Sequence, residues 1–120
     1  MPNKQSAREW LTISRHDLTA AGLLFENDHY TDTIGYMVQQ ALEKMLKSII
    51  GYHNQRIKRT HDLVELYDNV RDSISLEETY YVENRYPNAY FTLPNKDEIK
   101  ETLDFANELF KKICDMLEIE

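Results

Sequence analysis

The sequence predicts an all-α fold, an up-and-down antiparallel four-helix bundle with one additional short helix. Three observations point there. Apolar residues recur at spacings of three and four along most of the 120 residues, strand-like alternation is absent, and only 3 Gly and 3 Pro interrupt the pattern. Such stripes need neighbours to bury them, and a chain of this length supports one domain with one core. The whole of 1–120 is therefore read as a single helical domain.

The first helix is expected from about Ser6 to Glu26, with Ala7, Leu11, Leu18, Ala21 and Phe25 on one face and Trp10 and Leu24 widening it. Asn27-Asp28 is a turn signal, and Asp28 is the expected cap of the next helix. That second helix runs from about Tyr30 to Tyr52. Ile34, Val38, Ala41, Met45 and Ile49 share one face, and Leu42, Leu46 and Ile50 broaden it to the width of a helix enclosed by several neighbours. Gly51 stands where a helix terminates.

A third helix is expected from Thr60, with Thr60 as N-cap, Asp62 in the first turn and Leu63, Leu66, Tyr67 and Val70 facing inward. Ser75-Leu76-Glu77-Glu78 has the form of a capping box and predicts a short helix that stops before Pro87. Tyr86 to Pro94 reads as an aromatic loop. Asn95 with Glu98 then caps a last helix whose seam is Ile99, Leu103, Ala106, Phe110, Ile113 and Leu117.

Composition narrows the function. The net charge of −7 argues against broad electrostatic coating of nucleic acid. The charge is uneven, however: Lys44, Lys47, Arg56, Lys58 and Arg59 fall in a stretch with no acid. This is either a local phosphate site or a solvated basic loop. The opening MPNKQSAREW lacks the apolar core of a signal peptide, and no apolar run reaches membrane-spanning length, which predicts a cytoplasmic protein without a membrane partner. The lone Cys114 agrees with a reducing compartment and reads as a small residue near the core. His16, His29, His53 and His61 have no metal-binding spacing, and no Gly-rich phosphate loop or nucleophile elbow occurs, so neither metal nor cofactor is implied.

Several stretches together resemble the HEPN family: Gln39-Gln40-Ala41-Leu42-Glu43-Lys44 with Leu46-Lys47, then Thr60-His61-Asp62-Leu63, then Arg85-Tyr86-Pro87, with Trp10-Leu11 and Asp17-Leu18 near the start. The resemblance spans nearly the whole chain and implies a small helical bundle, commonly dimeric. Members include metal-independent ribonuclease toxins and non-catalytic partners of minimal nucleotidyltransferases. In the nucleases an Arg and a His a few positions later handle phosphate charge and the 2′-hydroxyl proton.

Two registers in this chain approach that pair. In Arg85-Tyr86-Pro87-Asn88-Ala89-Tyr90, the tyrosine stands where histidine is expected, and a phenol titrating near pH 10 is a poor base at neutrality. Arg56-Ile57-Lys58-Arg59-Thr60-His61 has the spacing but lies at the start of a helix, where His61 can equally cap or fix the loop. The catalytic candidates are thus Arg56, His61, Arg85 and Tyr90, and the ligand-binding candidates are Lys44, Lys47, Arg56, Lys58, Arg59, His61 and Arg85.

On the second helix Glu43, Lys44 and Lys47 read as boundary residues. Glu43 and Lys47 form an i,i+4 helix pair, or Lys44 and Lys47 extend the phosphate site. The open N-terminus of the third helix would assist such a site. Tyr80, Tyr81, Tyr86, Tyr90 and Phe91 are either base-stacking groups or anchors of a homodimer.

Two classes of function follow. One is a homodimeric binding and assembly module that recognises a nucleotide or RNA phosphate, or pairs with a nucleotidyltransferase. The other is a metal-independent endoribonuclease toxin with the nucleotidyltransferase as antitoxin. Tyr90 favours the first.

Overall fold

The computed structural model describes residues 2–57, 59–60, 62–70 and 94–119. Among them four helices occur and no strand: α1 (Lys4–Glu26), α2 (Thr31–Tyr52), α3 (Leu63–Val70) and α4 (Lys96–Met116). The short helix expected from Ser75, and the aromatic cluster Tyr80, Tyr81, Tyr86, Tyr90 and Phe91, lie outside the described residues.

α1 begins two residues earlier than the apolar pattern suggests. Asn3 supplies the N-cap, its side chain accepting from the Ser6 N–H at 3.0 Å. Ala7, Leu11, Ser14, Leu18 and Ala21 are buried. Ser14 is the unforeseen member of that seam; its Oγ donates to the Ala41 carbonyl at 2.8 Å, so the hydroxyl is satisfied inside the core.

Asp28 does not cap α2. It takes left-handed backbone geometry (φ 54) in the turn, and its carboxylate pairs with Lys96 at the start of α4. Tyr30 occupies the N-cap position instead, without a side-chain cap bond.

Every apolar residue predicted for the inner faces of α2 is buried, with Val38, Ala41, Met45 and Ile49 fully so. Gly51 lies at the C-terminal end of this helix as expected, as its penultimate residue. The helix continues through Tyr52 and closes over Asn54 (φ 57), while the Gln55 N–H reaches the Ile50 carbonyl at 3.1 Å. The glycine serves packing. A Cβ at Gly51 would overlap Ser6 Oγ and lie 3.3 Å from Ser6 Cβ and 3.4 Å from Ile57 Cδ1. Its absence lets the start of α1 approach the end of α2, where the Asn3 N–H donates to the Tyr52 carbonyl at 2.8 Å.

α3 starts at Leu63 rather than Thr60. Thr60 Oγ1 accepts from the Asp62 N–H at 3.0 Å, a local turn, and Asp62 Oδ1 accepts from the Glu65 N–H at 3.4 Å, which makes Asp62 the capping side chain. Leu63, Leu66, Tyr67 and Val70 are buried as their spacing requires.

α4 carries the complete Asn95–Glu98 capping box, with each side chain accepting from the other's N–H at 2.8 and 3.1 Å. Its seam departs from expectation at one place. Leu109 is buried, whereas Phe110 is only half-buried and lies under the Arg15 guanidinium at 5.3 Å. Beyond the helix, Ile119 folds back into the core, its N–H bonded to the Cys114 carbonyl at 2.8 Å. Cys114 itself is buried, and burial pushes its thiol pKa up against the opposing pull of Arg15.

Pairings between helices set their directions. Asn3 with Tyr52 and Ser14 with Ala41 make α1 and α2 antiparallel. Lys4 with Glu118 and Arg15 with Phe110 make α1 and α4 antiparallel. α2 and α4 therefore run parallel, and α3 starts where α2 ends, which is the up-and-down order. None of the described helices is long and apolar enough to cross a membrane.

Because both halves of the Asn95 box are formed, Asn95→Ala is expected to lower unfolding free energy by about 1 kcal/mol. Urea denaturation measures this; an unchanged midpoint would mean that the box adds nothing to α4.

Candidate functional site

Of the described candidate basic residues, Lys44 and Lys47 lie along the second half of α2, and Arg56 and Arg59 lie on the connector that follows it. Their environments differ sharply. Lys44 Nζ lies 2.5 Å from Asp17 Oδ2 on α1, with the two side chains 20% and 16% exposed. A pair this enclosed holds its partners firmly, since losing either one strands the other charge away from water. Lys47 is 8% exposed, and its ammonium sits 5.3 Å from the Trp10 ring centre. Its stem is packed while its charge is held by the negative ring face.

Glu43 is 1% exposed. The expectation that Glu43 and Lys47 lie at the boundary between core and surface is thus corrected: both are inside.

Arg56 and Arg59 behave otherwise. Both are exposed on the connector between α2 and α3, and among the described residues neither enters an ion pair. Beside the connector, the rings of Tyr52 and His53 meet edge to face at 5.1 Å. The start of α3 is not open as expected. The Asp62 carboxylate occupies it, so an anion arriving there would meet a negative charge. Lys58, His61, Arg85 and Tyr90 lie outside the described residues, so each Arg-to-His-type register has at least one member there.

The structure also joins residues that spacing alone does not relate. Trp10 and Asp17 are one face of α1, Lys47 and Lys44 one face of α2, and the pairs Trp10–Lys47 and Asp17–Lys44 clasp the two helices. These residues all belong to the stretches that carried the family resemblance. A family model, HEPN domain, matches residues 7–117. The chain belongs to the HEPN family. In this HEPN domain the α1 and α2 stretches of the resemblance form the interhelical clasp, and their lysines are already engaged. The sequence held one signal for this, the amphipathic complementarity of α1 and α2, but not the pairing of positions 27 residues apart. Comparisons with curated proteins and with solved structures give no match.

Proposed function

We propose that this HEPN protein is a homodimeric binding and assembly module that recognises the phosphate of a nucleotide or RNA through the connector between α2 and α3, and that can pair with a minimal nucleotidyltransferase. The observation that carries the reading is the contrast among its cations. Lys44 and Lys47 are taken up by Asp17 and Trp10, whereas Arg56 and Arg59 are exposed and, among the described residues, outside any ion pair. Guanidinium groups bind phosphate through a planar fork of donors, and two of them on one connector suit an anion better than they suit water alone. A local basic site on a body of net charge −7 also selects against indiscriminate polyanion binding. A small nucleotidyltransferase encoded in the neighbouring reading frame would supply the second partner.

The test is fluorescence anisotropy with a short single-stranded RNA and, separately, a nucleoside triphosphate. Affinity is expected to fall with rising salt and by about tenfold or more in Arg59→Glu. Lys44→Ala, whose native charge is spent on Asp17, should leave affinity within about twofold. Equal affinity of wild type and an Arg56→Glu/Arg59→Glu double variant would remove the connector from any binding role.

A further inference from the structure

α1 carries a second seam that the bundle does not use. Its inner face is Ala7, Leu11, Ser14, Leu18 and Ala21. On the opposite face Ile13, His16, Ala20 and Leu23 repeat at three, four and three residues, the spacing by which one helix packs along another. Ile13 is 44% and Leu23 57% exposed, His16 is exposed and Ala20 half-buried. Single exposed apolar residues are ordinary; here two large ones, Ile13 and Leu23, share one face of α1 with His16 and Ala20 between them.

The positions of the seam are mirrored about residue 18, and opposite charges flank it with their midpoint one residue away, at 17. Arg8 lies towards one end and Glu26 towards the other, both exposed and both outside any ion pair among the described residues. Between them, Thr19 has its hydroxyl bonded to the Arg15 carbonyl at 2.8 Å, so it can be covered without stranding a donor.

From this geometry we infer that the outer face of α1 packs against the same face of a second copy of this chain, antiparallel, about a two-fold axis near residue 18. Ile13 then meets Leu23 of the partner subunit, and bulky His16 meets small Ala20 of the partner subunit. Arg8 comes alongside Glu26 of the partner subunit twice, once on each side of the axis. A two-fold interface demands this self-complementarity; a parallel arrangement would set like charge beside like charge. The inference rests on the dimeric reading above and names its surface, which is remote in sequence from the connector arginines.

Light scattering and sedimentation velocity of the full chain at micromolar concentration and low salt provide the test. A wild-type dimer is expected, with Leu23→Asp monomeric and still folded by circular dichroism. Arg8→Glu and Glu26→Arg should each weaken the dimer by about tenfold, and the double variant Arg8→Glu/Glu26→Arg should regain it. A wild-type monomer overturns the inference. A dimer that persists unchanged in Leu23→Asp also overturns it, yet leaves the dimeric reading standing on another surface. Failure of the double variant to recover overturns the antiparallel register. RNA anisotropy on the same variants reports the connector site independently.

Discussion

Replacing Ile49 by alanine is expected to remove about 2–5 kcal/mol of unfolding free energy, a large part of the roughly 5–15 kcal/mol that holds a domain of this size together. The residue is fully buried on α2, which packs against α1, α3 and α4, so no single neighbour can collapse into the space it leaves. The loss combines the transfer of the missing methyl and methylene groups with the vacancy left behind. Lys100→Ala is the control. Its ion pair with Asp104 spans 3.1 Å on the exposed side of α4, and such a pair contributes at most about 0.5 kcal/mol. Urea unfolding followed by circular dichroism gives both values. Comparable midpoints for the two variants would show that α2 is not the centre of the core.

Purified protein is expected to leave single-stranded RNA uncleaved, or nearly so, in metal-free buffer at pH 7. In the register where nuclease relatives carry histidine this chain has Tyr90, and an unperturbed phenol is only about one-thousandth ionised at neutrality. Cleavage at that register would therefore lack its proton acceptor, whatever Arg85 does for the phosphate. The assay has two informative reversals. Strong cleavage that His61→Ala abolishes would assign the chemistry to Arg56 and His61 and make the protein a ribonuclease toxin. Cleavage lost in Arg85→Ala but kept in His61→Ala would place the work beside Tyr90. Either result replaces the binding reading with an enzymatic one.

Much of the bundle was legible in the sequence because helix periodicity is a local property. The spacing of Ile34, Val38, Ala41, Met45 and Ile49 identified an enclosed helix, and Asn95 with Glu98 marked the start of α4 through bonds that span three residues. The family could be read too, from short stretches spread along the chain, and residues 7–117 match it.

What required the tertiary structure was everything set by approach between distant segments. Gly51 stands at the end of α2 as its sequence position suggested, but its close approach to Ser6 could be seen only once α1 was placed beside it. Asp28 looked like a cap and is held by Lys96, while Leu109 rather than Phe110 completes the seam of α4. The candidate site divided in the same way. Lys44, Lys47, Arg56 and Arg59 form one basic stretch in the sequence, yet α1 brings Asp17 and Trp10 to the first two and nothing equivalent, among the described residues, to the last two. A charge's sign is written in its own residue, but whether it is available to a ligand depends on what the fold places beside it, because a nearby counter-charge or ring answers it before any ligand arrives.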